Sequence, residues 1–134
     1  MGVTLDTNVL IDLLRGTPST LTQLERLEQG GLSPVLSSVA VFEVLSGVEF
    51  TKSRSERARL EVILRQIPIE PFDLESARRA GELRAELLRV GFSPGAPDVM
   101  IAGHAMSRGH TLVTRDRKLA DAAGALGVSV AHYR

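Results

Sequence analysis

Short apolar segments with strand character alternate with segments of helical periodicity along the whole chain. Strands are predicted over residues 2–5, 34–37, 67–72, 111–114 and 128–131. Helices are predicted over residues 9–15, around Leu21, Leu24 and Leu27 up to Gly30, and over residues 39–48, 54–66, 74–90, 97–108 and 117–125. Such alternation indicates an α/β fold in which right-handed βα units surround a mainly parallel sheet. Ligands of such sheets bind beyond the carboxyl ends of the strands.

The composition is that of one ordinary globular domain, which we expect to span residues 1–134. Hydrophobic residues make up 43% of the chain and Trp is absent, so the core should be aliphatic. The absence of cysteine excludes disulfides and thiolate metal sites and fits a reducing compartment. No apolar stretch approaches the roughly 20 residues of a membrane span, and Met1 leads directly into a strand, so we expect a cytoplasmic protein.

Two acidic residues follow predicted strands. Asp6 comes directly after the first strand, and Asp116 follows Thr114, the end of another strand, after one intervening residue. Because the carboxyl ends of parallel strands meet at one edge of a sheet, we expect these two carboxylates to lie near each other.

Two further acidic residues stand alone in apolar surroundings. Glu43 is the only charged residue between Leu32 and Val48, and Asp98 is the only one between Val90 and Ser107 when histidine is counted as neutral. An unpaired charge in poorly solvated surroundings costs several kcal/mol. An arginine partner, a raised pKa or a bound cation would compensate that cost.

Helix capping is the competing interpretation for three of the four acids. Asp6 or Asn8 is a suitable cap for the first helix, Asp98 suits a first helical turn, and Asp116 suits the cap of the helix from residue 117. Glu43 has no such explanation. Convergence of all four favours a cation site, and oxygen-only ligands favour Mg²⁺ or Mn²⁺. Such a site can hydrolyse phosphodiesters without a covalent nucleophile.

The motifs resemble those of the PIN-domain ribonucleases, specifically the VapC-like toxins of toxin-antitoxin pairs. The similarity rests on Leu5-Asp6-Thr7-Asn8, Glu43 in an apolar helix, Asp98-Val-Met-Ile-Ala, and Thr111-Leu-Val-Thr-Arg-Asp116, and it covers nearly the whole chain. It implies a three-layer α/β/α sandwich, Mg²⁺ or Mn²⁺ as cofactor, cleavage of RNA, a homodimer, and inhibition by a small antitoxin protein. Leu119 stands where the family often has Phe, which affects only local packing.

The resemblance also assigns roles to individual residues. Asp6, Glu43 and Asp98 match the family's near-invariant acids, and Asp116 matches the fourth, more variable one; all four are the candidate catalytic residues. Asp6, Asp98 and Asp116 are the candidate metal ligands, with Asn8 and Thr114 as polar support around them.

Basic residues beside Asp116 are the candidate RNA contacts. Arg115, Arg117 and Lys118 flank this acid, so their side chains are expected to reach phosphates on either side of the scissile bond. The same acidic crevice suggests how an antitoxin would inhibit: an inserted arginine would pair with Asp6 or Asp98 and displace the metal.

Other readings of these residues remain open. The main rival is a non-catalytic PIN-like module that binds RNA or protein. A haloacid-dehalogenase-type phosphatase needs a second Asp two positions after the first, where Asn8 stands, and a response-regulator receiver needs an acidic pair after its first strand. We interpret His104, His110 and His132 as structural. Asp12 and Asp121 are predicted to be surface or capping acids.

Overall fold

A computed structural model describes every residue from Met1 to Arg134. Five strands form one sheet: β1 (Gly2–Leu5), β2 (Ser33–Ser37), β3 (Ile69–Glu70), β4 (Thr111–Thr114) and β5 (Val130–His132). Seven helices connect them: α1 (Thr7–Leu14), α2 (Pro18–Gln29), α3 (Ser38–Thr51), α4 (Arg54–Gln66), α5 (Leu74–Arg89), α6 (Ala96–Arg108) and α7 (Arg117–Ala125). The α/β fold predicted from the sequence is confirmed. None of the helices is both long and apolar enough to cross a membrane.

The strand order reverses once, and the point of reversal lies at the centre of the sheet. All neighbouring strands are parallel, in the order β3-β2-β1-β4-β5. From β1 the chain moves outward through β2 to β3 and then crosses back to β4, so right-handed connections put α1–α4 on one face and α5–α7 on the other. This gives the three-layer α/β/α sandwich. The switch point, where such sheets bind ligands, lies at the carboxyl ends of β1 and β4.

The central strands are buried on both faces. Val3, Leu5, Leu112 and Val113 are completely inaccessible to solvent. Runs of this kind are typical of parallel strands covered by helices on both sides. The core is therefore aliphatic, as the composition predicts, and it fixes the strand ends from which the acidic side chains project.

Side-chain caps set where several helices begin. Ser37 Oγ accepts from the backbone N–H of Val39 at 3.2 Å and starts α3, and Asp73 Oδ1 accepts from that of Ser76 at 3.0 Å and starts α5. Helix α6 ends at Gly109, whose φ of 67° lies in the left-handed region that glycine adopts without strain.

Element bounds differ from the prediction at the two edges of the sheet, in α3, and in α1, which runs from Thr7, directly after its cap Asp6, to Leu14 instead of over residues 9–15. The strand predicted over 67–72 is only Ile69–Glu70, because the prolines at 68 and 71 cannot donate ladder hydrogen bonds. The last strand is Val130–His132 rather than 128–131. The helix predicted over 39–48 runs from Ser38 to Thr51, and Lys52, whose φ of 55° is left-handed, ends it.

Candidate active site

Asp6 lies at the switch point of the sheet, between the end of β1 and the start of α1. The residue is only 1% exposed. Its Oδ1 accepts from the backbone N–H of Thr7 at 2.9 Å, and its Oδ2 accepts from Thr114 Oγ1 at 2.7 Å and from Asn8 Nδ2 at 3.4 Å. Asp6 is therefore the N-cap of α1 and at the same time a buried carboxylate at the strand ends. The capping and site interpretations both apply to it.

The pKa of Asp6 shows which other acids share its surroundings. Burial above all, and then the negative charges of Asp98 and Asp116, raise this pKa from 3.8 to about 6, while the hydrogen bonds from Thr114 and Thr7 oppose the rise. Asp98 behaves in the same way: burial raises its pKa, followed by the charges of Glu43 and Asp116. All four predicted acids therefore contribute to one region of negative potential.

Glu43 reaches this region from α3 and is half-buried. Thr7 Oγ1 donates to Glu43 Oε1 at 2.5 Å. The two residues lie 36 positions apart, so the bond ties the first turn of α1 to α3. Sequence reasoning missed this role of Thr7; its position directly after Asp6, at the start of a helix, was the available signal.

Asp98 and Asp116 lie at the N-terminal ends of α6 and α7. Asp98 is half-buried in the first turn of α6, where a negative charge interacts favourably with the helix dipole. Asp116 caps α7, accepting from the backbone N–H of Leu119 at 3.1 Å. Leu119 is completely buried, so this position carries an aliphatic core residue.

Thr114 and Asn8, predicted as polar support, both contact Asp6 and the loop that follows β4. Thr114 is fully buried, and its Oγ1 donates to Asp6 and accepts from the backbone N–H of Asp116 at 3.0 Å. Asn8 Oδ1 accepts from the backbone N–H of Arg115 at 3.3 Å. A single threonine hydroxyl thus joins the two acids that follow β1 and β4.

The three basic residues beside Asp116 differ in their surroundings. Arg117 and Lys118 are exposed at the start of α7. Arg115 is exposed as well, with 38% of its side chain accessible, but it also pairs through Nη1 with Asp12 Oδ2 at 2.5 Å. The prediction for Asp12 as a surface or capping acid is wrong: this residue is only 8% exposed, because it lies on the inward side of α1 where Arg115 covers it. Asp121 is exposed on α7, as predicted.

Comparison with known proteins shows the family to which this chain belongs. The PIN domain family model matches residues 3–125. The chain is 36% identical over 125 residues to the tRNA(fMet)-specific endonuclease VapC of Shigella flexneri, covering 91% of this chain and 92% of that protein. It is 32% identical over 116 residues to Ribonuclease VapC2 of Rickettsia felis, covering 85% and 86% of the two chains. The chain belongs to the PIN-domain family, in its VapC branch. It is a nuclease of the VapC type.

Solved structures agree with this PIN-domain assignment. The crystal structure of VapBC2 from Rickettsia felis bound to a DNA fragment from its promoter matches with a TM-score of 0.84 at 27% identity, covering all of both chains. The DNA-bound VapBC from Salmonella typhimurium matches with a TM-score of 0.78 at 30% identity over 98% of each chain. Both structures therefore match this chain over nearly its whole length, whereas the family model matches residues 3–125.

The histidines of this PIN domain bond to protein groups outside the acidic cluster. His104 is completely buried, with Nε2 at 3.0 Å from Glu70 Oε1, and His110 Nδ1 lies 3.0 Å from Thr4 Oγ1. His132 Nε2 donates to the carbonyl oxygen of Arg115 at 3.1 Å. These contacts agree with the structural role predicted for all three.

The donor chemistry of the cluster fits a hard divalent cation. Within residues 1–134, no three His, Asp or Glu side chains lie close enough together to hold a metal ion as they stand. Neighbouring carboxylates nevertheless raise the pKa values of Asp6 and Asp98, in addition to the effect of burial, and a bound cation relieves this repulsion. Mg²⁺ keeps several waters and uses few carboxylates, so an open set of oxygen ligands suits it.

Proposed function

We propose that this PIN domain is an endoribonuclease that hydrolyses RNA phosphodiester bonds with Mg²⁺ or Mn²⁺ held by Asp6, Asp98 and Asp116. One observation carries the proposal. Asp6 is a buried carboxylate whose pKa is raised to about 6 by burial and by the charges of Asp98 and Asp116, at the switch point of a parallel sheet. Burial of repelling charges is costly unless a cation joins them.

The cation, when bound, would supply a polarised water and offset the charge that develops on the phosphoryl oxygens. Glu43 is the residue that we assign as proton acceptor for the attacking water. Thr7 occupies its Oε1, which leaves Oε2 free to take the proton. As the water oxygen bonds to phosphorus, one phosphorus–oxygen ester bond of the RNA backbone breaks.

Arg117 and Lys118 are the basic residues that we propose for phosphate contacts. Both are exposed at the N-terminal turn of α7, next to Asp116. Contacts of this kind add affinity without sequence readout and weaken steeply as salt rises. Arg115, which the sequence groups with them, already has Asp12 as its partner.

The cellular role that we propose is the toxin of a toxin-antitoxin pair, inhibited by a small antitoxin protein. Its support is the similarity to the VapBC complexes from Rickettsia felis and Salmonella typhimurium. An antitoxin arginine inserted into the crevice would pair with Asp98 more readily than with Asp6, because Asp98 is half-buried whereas Asp6 is 1% exposed.

An exposed apolar surface supports a homodimer. Phe42 is 65% exposed, and it lines a hollow together with Val39, Pro97 and Met100. Met100 also lines the neighbouring hollow beside Phe72, so the two form one apolar surface across α3, α6 and the start of α5. We propose that a second copy covers this surface and that residues 1–134 act as one nuclease domain in each copy.

The test combines cleavage in cells with metal binding in solution. RNA 5′ ends are sequenced after brief induction of the wild type, of Asp98→Asn, and of Asp121→Asn as the control for losing an acid on a helix surface. We expect new 5′ ends with the wild type and the control only. Purified protein should cleave RNA with Mg²⁺ or Mn²⁺, stop in excess EDTA, and melt at a higher temperature when metal is bound.

Two results would overturn the proposal. Cleavage that persists undiminished in EDTA would exclude the metal mechanism. Tight RNA binding by the wild type with no new 5′ ends under any metal would favour the non-catalytic binding module.

A further inference from the structure

The residue immediately before Asp116 is held at three points. The backbone N–H of Arg115 donates to Asn8 at 3.3 Å, and its carbonyl oxygen accepts from His132 at 3.1 Å. Its guanidinium donates to Asp12 Oδ2 at 2.5 Å. Both backbone groups and the side chain of one loop residue are thus fixed by α1 and by β5.

Asp12 is the buried ionic partner of Arg115 in this arrangement. It lies in α1, the helix that Asp6 caps, and only 8% of its surface is exposed. A carboxylate this buried is costly without a cationic partner, and Arg115 supplies that partner. The ion pair therefore links the helix behind Asp6 to the loop that carries Asp116.

Tyr133 completes the surroundings of the guanidinium. Its ring centroid lies 6.0 Å from Arg115 Cζ, which is within the range of a cation–π contact. The Tyr133 hydroxyl is in turn hydrogen-bonded to Thr20 Oγ1 at 2.8 Å, and Thr20 is completely buried in α2. Tyr133 lies beyond residues 3–125, the part of the chain that the family model matches.

We propose that Asp12, Arg115 and Tyr133 form a clasp that sets the position of Asp116 relative to Asp6, so that Arg115 is a positioning residue of the carboxylate site. Arg115 is the single residue between Thr114, which bonds Asp6, and Asp116. Fixing its torsions therefore fixes the separation of the two acids. This inference rests on the proposed function, because the site that the clasp serves is the proposed metal site.

A direct contact between Arg115 and RNA is the competing role. The guanidinium bonds Asp12 through Nη1 only, and 38% of the Arg115 side chain is exposed. A phosphate contact that displaced Asp12 would leave the charge of that acid nearly buried and unpaired. Arg117 and Lys118 do not pair with a buried acid, and both are exposed beside Asp116.

The experiment compares Asp12→Ala, Arg115→Ala and the double variant with the wild type. Arg108→Ala is the matched control, because Arg108 also joins two elements through an ion pair, 3.0 Å from Asp73. We expect each clasp variant to weaken Mn²⁺ binding and to lower kcat by about 10-fold. KM for RNA and its salt dependence should stay unchanged. The double variant should be no worse than either single one, since it also removes the unpaired buried acid.

Two outcomes would overturn the clasp. If Arg115→Ala alone raises KM and flattens the salt dependence while Asp12→Ala behaves as the wild type, Arg115 contacts phosphate instead. If both variants lower only the melting temperature, as expected for Arg108→Ala, the ion pair is merely structural. If Arg115→Ala fails to fold, the double variant, which has no unpaired buried acid, is compared with the wild type in its place.

Hydrogen exchange separates failure of the clasp from failure of the proposed function. The amide of Asp116 is bonded to Thr114 and should exchange faster in both clasp variants than in Arg108→Ala, whether or not metal binds. If the wild type neither binds Mn²⁺ nor cleaves RNA, but the variants show this exchange pattern, the proposed function is wrong and the clasp is supported. If the wild type is active but the Asp116 amide exchanges at the same rate in the clasp variants as in the wild type, only the proposal of a clasp is wrong.

Discussion

Thr114 and Asp6 lie 108 positions apart in the chain and are joined by a hydrogen bond of 2.7 Å between Oγ1 and Oδ2. Both residues are almost completely buried. The same hydroxyl accepts from the backbone N–H of Asp116, so its proton is directed to Asp6. Thr114 therefore stabilises the ionised form of Asp6 and orients the carboxylate that the proposed metal site needs.

Replacing Thr114 tests this relationship. Thr114→Val keeps the shape of the side chain but removes the donor to Asp6 and the acceptor for the amide of Asp116. We expect about 10- to 100-fold slower RNA cleavage and a loss of about 1–3 kcal/mol of unfolding free energy. Single-turnover cleavage and urea unfolding measure the two effects. Thr114→Ser retains the hydroxyl and should be close to wild type; equal activity of the Val and Ser variants would contradict the assignment.

Neutralising a member of the cluster should cost activity but not stability. Asp98→Asn and Glu43→Gln each remove a charge that raises the pKa of a neighbouring carboxyl group, so the metal-free protein should melt at the same or a higher temperature. Cleavage should be abolished in both, and Asp6→Ala should also be inactive. If these variants instead lose about 1 kcal/mol and keep their activity, the acids are helix caps only.

The metal-free protein should gain stability from Asp6 as the pH falls from about 7 to about 4. Because the pKa of Asp6 is 3.8 in the unfolded chain and about 6 in the fold, the folded state binds the proton first. Its ionisation therefore opposes folding by about 3 kcal/mol above pH 6. This penalty is relieved as the pH falls through 6 towards 3.8.

Asp6→Asn isolates that contribution in urea unfolding with EDTA. Asparagine is a comparable N-cap, so the variant should be more stable than the wild type at pH 7 and the difference should vanish near pH 4. The comparison is needed because His110 and Asp73 act in the opposite direction: burial lowers the pKa of His110, and the hydrogen bond from Ser76 lowers that of Asp73. A stability difference that does not change with pH would refute the raised pKa of Asp6.

Gly103 should be intolerant of any side chain. A Cβ at this position in α6 would lie 2.4 Å from the backbone nitrogen of Ala80 in α5. Gly103→Ala would force the two helices apart at a cost of about 1–3 kcal/mol, which outweighs the gain in helix propensity of about 1 kcal/mol. Gly81, also in α5, has nothing within 4 Å of its Cβ position. Gly81→Ala should therefore stabilise by about 0.5–1 kcal/mol, and equal effects in thermal unfolding would contradict the close approach.

Phe42 tests the proposed dimer surface. Phe42→Glu places a charge in the apolar surface shared with Pro97 and Met100, so it should convert the dimer to a monomer. Phe50→Glu is the control: Phe50 is 90% exposed and lies two turns further along α3. Light scattering after size exclusion measures the mass. Dimers that persist in Phe42→Glu would move the interface elsewhere.

Local patterns in the sequence were sufficient for most elements and for the four acids. The bounds of α4 and α7 match the prediction, since apolar periodicity marks the extent of each amphipathic helix and a polar N-cap marks its start. Glu43 and Asp98 were recognisable because each stands alone in an apolar stretch. The family resemblance to PIN domains follows from the same residues and is confirmed.

Only the tertiary structure decided how these residues are joined. The sequence does not encode in any local pattern that Thr7 bonds Glu43, that Thr114 bonds Asp6, or that Asp12 is buried beneath Arg115. The local sequence around an acid on an apolar helix is the same whether the acid is exposed to solvent or covered by an arginine 103 positions later. Strand order brings such partners together, and it results from packing both faces of the sheet rather than from the spacing of residues along the chain.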